Sequence, residues 1–409
     1  MMTATRRRVT GGFDTHADTN VAAVLDTLTS RTLARATFPT TAVGHQAALE
    51  WIRDQGALDA VGVESTGTYG AGLARHLAAA GVKVVEVNRP EKLHRYLDGK
   101  DDFIDAEAAA RAVLSGRASA IPKSGDGPVE AIRSLETAHE SAAHDRVEAI
   151  NQFKSMMFRA PNGFRDVFST KTFRHQLNAA VRFRTSHDDL VEQELRVALK
   201  MLAQRIRFLE AQITDIEARL RPIIAEHFPA LLGLHGVGPH SAAQLLMAAG
   251  DNADRLHSEA AFAKLCGACP QPASSGKTIR FRLDRGGSRN ANRALYRIVI
   301  VRMRHDDNTK RYVARRLAEG KTKAETIRCL KRFVAREVFA AIINPPDNIP
   351  TGQDLRAARV AAGITLTALA VSLRVAPTNI SRLEQGLDHH TTRVHQALET
   401  ITTMTAWHL

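Results

Sequence analysis

Eight aliphatic residues, Leu195, Leu199, Leu202, Ile206, Leu209, Ile213, Ile216 and Leu220, follow one another at spacings of 4, 3, 4, 3, 4, 3 and 4. A strand repeats every two residues, so this pattern commits the stretch to a long helix with one apolar seam. The seam must meet another helix, either within the chain or in a second subunit, and its regularity tilts the expectation toward a dimer. Residues 125–228 as a whole read as helical, a long helical or coiled-coil middle.

Upstream, residues 9–124 change character. Val21-Ala-Ala-Val-Leu25, Ala60-Val-Gly-Val63 and Val82-Lys-Val-Val-Glu-Val87 read as buried strands. Between them, 43–55 and 69–80 read as helices, the second closed by Gly81. Strands alternating with helices predict an α/β domain with a partly parallel sheet. Downstream, in 229–345, Leu231-Leu-Gly-Leu-His-Gly-Val-Gly-Pro239 leads into an apolar helix start. This has the form of a helix–hairpin–helix, whose turn glycines Gly236 and Gly238 would offer backbone N–H groups to a DNA phosphate. A proline-rich linker, Pro345 to Gly352, precedes three short helical patterns.

The charge is unevenly spread. Residues 275–335 hold 18 basic and 5 acidic side chains, a surplus equal to the net charge of +13 of the entire chain. Such a concentration is the footprint of a phosphate-backbone binder and makes double-stranded DNA the leading partner. At 5% aromatic residues, base stacking is not the expected mode. No stretch approaches the ~20 apolar residues of a membrane span. Three cysteines, an odd number, and an N-terminus without an apolar signal core point to a reducing cytoplasm and away from secretion.

Four carboxylates stand out by placement. Asp14 lies in Gly11-Gly-Phe-Asp-Thr-His16, and Glu64 ends the strand Val61-Gly-Val63. Asp102 and Asp105 lie three apart, on one face if that segment is helical. Oxygen-only ligands of this kind select Mg(II) or Mn(II), and two such ions can clamp the attacking and leaving oxygens of a phosphodiester.

Two patterns are set aside. Ser275-Gly-Lys-Thr278 lacks the upstream glycine of a phosphate loop, since Gln271 stands there. Cys266 and Cys269 have the spacing of half a zinc knuckle, but Cys329 is the one other cysteine, so two buried thiols are expected.

In this order the motifs resemble the transposases of the IS110 insertion-sequence family, which are similar to the pilin-gene invertase Piv. The resemblance covers about residues 9–345. It rests on Phe13-Asp-Thr-His16, Val63-Glu-Ser-Thr-Gly67 and Lys100-Asp-Asp-Phe-Ile-Asp-Ala106. Gly267-Ala-Cys-Pro270, Ser274-Ser-Gly276 and Gly286-Gly-Ser-Arg-Asn-Ala-Asn-Arg-Ala-Leu295 complete it. It implies a RuvC-like (RNase H-like) DEDD domain built on Asp14, Glu64, Asp102 and Asp105. A mainly α-helical transposase domain would then carry a nucleophilic serine, Ser275, with Ser274 as the fallback. The resemblance also implies a guide (bridge) RNA and a homo-oligomer, a dimer or a tetramer in which one subunit's serine meets another's carboxylates. Asp101, where the family usually has threonine, adds a charge beside the metal pair and is a candidate to join metal binding or to raise a neighbour's pKa.

Residues 353–387 resemble a Cro or phage-repressor helix-turn-helix and form a small all-α tail. Its third helix would present Thr378, Asn379, Ser381 and Arg382 to the major groove. In the basic segment Lys277, Arg280, Arg282, Arg285, Arg289 and Arg293 are the candidate DNA contacts. The expected protein is thus a cytoplasmic, nucleoid-associated DNA transposase or site-specific recombinase. The alternatives are a metal-dependent, Holliday-junction-type nuclease using water, and a non-catalytic helix-turn-helix regulator.

Overall fold

The computed structural model describes residues 6–87, 101–169, 171–184, 189–252, 255–272, 281–282, 284–345, 350–386 and 391–406. They fall into two compact units: Met1–Gly127 with Ala249–His257, and Pro128–Ala248 with Ser258–Leu409.

The first unit is α/β. Strands β1 (Arg8–Thr15), β2 (Thr19–Asp26), β3 (Thr32–Pro39), β4 (Ala57–Glu64) and β5 (Val84–Val87) form one sheet in the order β3-β2-β1-β4-β5. The first three run antiparallel as a meander, while β4 and β5 run parallel to β1. Strand β3 adds to the strands expected from apolar runs; its half-exposed side chains and terminal Pro39 suit a sheet edge, where apolar alternation is weak.

Helix α1 (Ala42–Gln55) starts at Thr41, whose hydroxyl accepts from Gly44 N, and α2 (Ala71–Ala79) is followed by Gly81 at φ +75°. Both pack on one face of the sheet through Leu49, Ile52, Leu73 and Leu77 against Val9, Phe13, Val61 and Val63. Helix α3 (Asp102–Leu114) joins the alternate side chains of β2, namely Val21, Ala23 and Leu25, through Ala106 and Ala110. The sheet is therefore covered on both faces, which is why Val9–Thr15 of β1 and Asn20–Leu25 of β2 are buried without interruption. The late segment Ala249–His257 docks here too. Asn252 Nδ2 donates to Pro122 O at 2.9 Å, and Arg255 donates to Ile121 O at 2.9 Å and meets Glu86 at 3.4 Å.

The second unit is helical. Its core helices are α4 (Pro128–Phe158) and α7 (Leu190–His227), with the short α5 (Asn162–Ser169) and α6 (Phe173–Val181) between them in sequence. The heptad seam is filled inside the chain. Leu199, Ile206, Leu209, Ile216 and Leu220 are buried, and Leu199 and Ile206 share a cluster with Ala149, Phe153 and Met157 of α4. Arg146 of α4 and Glu210 of α7 pair at 2.7 Å beside it. The buried part of the seam thus packs on a helix of its own chain.

Beyond α8 (Pro229–Leu232) the chain turns at Gly236, φ +81°, into α9 (Pro239–Ala249). Helices α10 (Glu259–Leu265), α11 (Arg289–His305), α12 (Asp307–Ala318) and α13 (Lys323–Ile343) complete this region. A two-stranded ribbon pairs β6 (Gln271–Pro272) with β7 (Phe281–Arg282).

The tail comprises α14 (Gly352–Ala361), α15 (Leu366–Ser372), α16 (Pro377–Glu384) and α17 (Thr391–Ala406), sharing a core that includes Leu355, Leu369, Ile380, Leu383 and Val394. Among the described residues, no single helix is long and apolar enough to cross a membrane.

Candidate active site

Glycines set the depth of the site. Cβ atoms built on Gly12 of β1 and Gly62 of β4 would lie 2.2 Å from Ala106 O and 2.6 Å from Ala109 O. Because neither has a side chain, α3 rests its backbone directly on the sheet. Its first turn, which carries Asp102 and Asp105, is thereby held at the C-terminal ends of β1 and β4.

On those ends, one residue beyond the registered pair Phe13 and Val63, stand Asp14 and Glu64. Thr15 ties the strands by donating from its hydroxyl to Glu64 O at 3.1 Å. Immediately after Glu64 the chain turns through Ser65 at φ +52°, a left-handed conformation that costs a non-glycine residue on the order of 1 kcal/mol. Asp14, Glu64 and Asp105 are all at least 93% buried.

His16 joins them. Its Nε2 lies 3.2 Å from Asp14 Oδ2 and 3.4 Å from Asp102 Oδ2, so one imidazole spans the strand and helix carboxylates. Its backbone is held by His16 N donating to Thr19 O at 2.9 Å and by the Thr40 hydroxyl donating to His16 O at 3.1 Å. Asp14, His16 and Asp102 can each offer an atom to one ion, with those atoms within 4.8 Å of one another. Sequence reasoning places His16 within its motif but gives it no role; the Asp-x-His spacing at a strand end is the available signal.

The donor set fits a hard divalent cation. Asp14 and Asp102 converge with His16, and carboxylate oxygens are what Mg(II) takes; Glu64 and Asp105 are buried but, among the described residues, are not part of that cluster. Asp101 is engaged elsewhere, since its Oδ1 accepts from Phe103 N at 2.9 Å and caps α3.

In the second unit, Ser274, Ser275, Lys277 and Arg280 lie outside the described residues, between β6 and β7. Among the described residues, those flanking this segment in sequence help line a basic cavity of about 510 Å³. Phe281 and Arg282 line it from the ribbon, and Arg316, Arg328 and Lys331 from the helices. Burial, with Arg328 adding to it, pushes the Lys331 ammonium below its usual range. Lys264 pairs with Asp284 at 3.0 Å, and Asp284 accepts from Gly286 N at 2.9 Å, anchoring the chain after β7. Cys266 is buried, and desolvation pushes its thiol up to about 12.

Arg282, Arg285, Arg289 and Arg293 are exposed. Gly238 is exposed, whereas a Cβ on Gly236 would press on Ile298 O and Val301, so that turn also packs on α11. On α16, Thr378 and Arg382 are exposed, and Asn379 and Ser381 are half-buried.

Two family models match the chain. Residues 11–160 match the transposase family DEDD_Tnp_IS110, and residues 229–314 match the transposase family IS116/IS110/IS902. Among curated proteins, the insertion element IS110 uncharacterized 43.6 kDa protein of Streptomyces coelicolor is 28% identical over 169 residues. That alignment covers 40% of this chain and 42% of the relative, under half of each. The transposase for insertion sequence element IS1328 of Yersinia enterocolitica is 26% identical over 256 residues, 60% of this chain and 71% of the relative. The matched models together span more than half of the 409 residues, and they cover both the carboxylate corner and the region that follows α7. The chain belongs to the IS110 family of insertion-sequence transposases.

Proposed function

We propose that the protein is a transposase that cuts and rejoins DNA strands through Ser275, with Asp14, Glu64, Asp102 and Asp105 holding a divalent metal in a RuvC-like domain. The observation that carries this is the meeting of Asp14 and Asp102 on either side of His16, beneath the first turn of α3. The basic cavity lined by Phe281 and Arg282, which follow the serine-bearing segment in sequence, supports binding of a phosphate backbone by this unit.

In this reading the serine oxygen attacks a backbone phosphorus. A serine–phosphate ester forms as the bond from phosphorus to one sugar oxygen breaks, and that oxygen leaves with a proton. A sugar hydroxyl then attacks the same phosphorus, re-forming a phosphodiester and freeing the serine, so no external energy source is consumed. Mg(II) or Mn(II) at the carboxylates would supply charge neutralisation at the phosphate. Lys277, Arg280, Arg282 and Arg285 would hold the backbone in line, and Arg289 and Arg293 would extend the contact along α11. Gly236 and Gly238 would add backbone donors. The tail would read an element end through Thr378, Asn379, Ser381 and Arg382. Family membership further supports a guide RNA and a homo-oligomer that holds two duplexes together in a nucleoid-associated complex.

The test is a protein–DNA adduct that survives denaturing detergent, formed with the element's own flanking DNA. The adduct should form in the parent and vanish in Ser275→Ala. An adduct that persists moves the nucleophile to Ser274. Metal-dependent nicking with no adduct in either protein replaces the recombinase by a hydrolytic nuclease.

A further inference from the structure

A second cluster of metal-type ligands lies in the helical unit. Glu136 and His139 sit three apart on one face of α4, and His240 is the second residue of α9. Each can direct one atom to a common point, the three atoms lying within 4.8 Å of one another. Glu136 has no exposed surface, His139 is 4% exposed and the His240 side chain 20%.

Within the protein this arrangement is incomplete. Among the described residues, neither oxygen of Glu136 has a hydrogen-bond partner, and neither does Nδ1 of His139 or of His240. Glu136 Oε1 and His240 Nδ1 are 2.7 Å apart yet are not aligned as donor and acceptor. The neighbouring Glu140 is satisfied, accepting from Gln244 Nε2 at 2.9 Å and from Asn290 Nδ2 at 3.0 Å. Arg297 lies within electrostatic range of Glu136 but gives it no hydrogen bond. A fully buried carboxylate left without a donor costs several kcal/mol unless a cation meets it.

Two stacked imidazoles face that carboxylate, their ring centroids 4.2 Å apart and their planes 28° apart. Protonating both would set two positive charges against each other. One dication shared by two neutral imidazoles and a carboxylate removes both difficulties. The support around His139 has the form expected of a ligand: its other nitrogen, Nε2, meets Glu217 Oε1 of α7 at 3.3 Å, fixing the ring. Ligand atoms on one zinc ion sit ~3–3.5 Å apart, and here the three lie within 4.8 Å of one another with one pair at 2.7 Å. Two nitrogens and one oxygen favour Zn(II) over Mg(II), which takes oxygen.

We infer that Glu136, His139 and His240 form a Zn(II) site, with Glu217 orienting His139, that braces α4 and α7 against the start of α9. The site uses none of the DEDD carboxylates and none of the cysteines, and its existence does not depend on the recombination chemistry.

The full-length chain, stripped with a chelator and dialysed, is titrated with Zn(II) and with Co(II) as a spectroscopic stand-in. One tight equivalent is expected, with the visible absorption of tetrahedral Co(II) and no near-ultraviolet thiolate-to-cobalt band. Affinity should fall at least ~10-fold in His240→Gln and in Glu136→Gln, and hold in Asp102→Asn. A thiolate band that disappears in Cys269→Ser, or loss of the equivalent in Asp102→Asn, overturns the assignment. So does a chain that takes up no stoichiometric Zn(II). Should a variant fail to fold, the unmodified chain decides: Zn(II) must raise its melting temperature and chelation lower it, and no change in either direction also overturns the site.

Discussion

A Cβ on Gly12 would sit 2.2 Å from the carbonyl oxygen of Ala106, so strand β1 and helix α3 approach each other as closely as backbones can. That approach carries the first turn of α3, with Asp102 and Asp105, to the strand end that bears Asp14. The depth of the carboxylate corner is thus set by a missing side chain two residues before its first aspartate.

Gly12→Ala should therefore damage both stability and activity. The new methyl group meets backbone, Ala106 O at 2.2 Å and Ala110 N at 2.4 Å, which cannot swing aside like a flexible side chain. Overpacking of this kind costs about 1–3 kcal/mol or more. Thermal melts should show the loss, and strand cleavage should fall further than the melt explains because α3 is displaced. Gly67→Ala is the control, since a Cβ there meets nothing within 4 Å. Equal behaviour of the two variants would contradict the tight-packing account.

Much of this arrangement is legible in the sequence. Buried strands such as Val21–Leu25 and Ala60–Val63 announce themselves through continuous apolar runs, and Asp102 and Asp105 declare a shared face by their spacing. Strand β3 does not, because an edge strand with half-exposed side chains carries little apolar signal. The heptad seam tells that a partner helix exists but not which one; α4 answers through Ala149 and Phe153, which the seam's own periodicity cannot encode. His16 and Asp101 escape for a related reason. Their roles, spanning two aspartates and capping α3, depend on where the chain returns rather than on local pattern.

His16→Ala should lower cleavage by ~10–100-fold at limiting Mg(II), as loss of a group bearing on metal-site carboxylates commonly does. Its Nε2 touches both Asp14 and Asp102, so its removal changes how those two carboxylates share charge. Raising Mg(II) should recover part of the rate, while Asp102→Asn should stay inactive at every concentration. DNA affinity measured by gel shift should be unchanged in both. A His16→Ala rate equal to the parent at low Mg(II) would remove this residue from the site.

Thiol chemistry offers an independent check on the second unit. Burial pushes the Cys266 thiol up to about 12, so near neutral pH it stays protonated and unreactive. Cys269 and Cys329 are both partly exposed. A thiol-reactive dye should label two cysteines in the native chain, and the third only in denaturant. Rapid labelling of Cys266 in folded protein would show that the packing around it opens.

The tail rests on a different interaction. Arg359 of α14 and Glu384 of α16 form a two-pronged pair, at 2.5 Å and 2.9 Å, with side chains only 12% and 6% exposed. Such a pair is weak evidence of net stabilisation, but removing one partner strands a buried charge at a cost of about 3–5 kcal/mol. Glu384→Gln should therefore melt the tail, seen as a separate low-temperature transition in the full chain, and DNA binding through it should be lost. Replacing both partners, Arg359→Met with Glu384→Leu, should restore most of the stability because no lone charge remains. Arg382→Ala, at an exposed position of the same helix, should weaken DNA binding while leaving that transition where it was. A double variant as unstable as the single one would mean that the pair holds α14 against α16 by its geometry, and the tail could not then be rebuilt on apolar contacts alone.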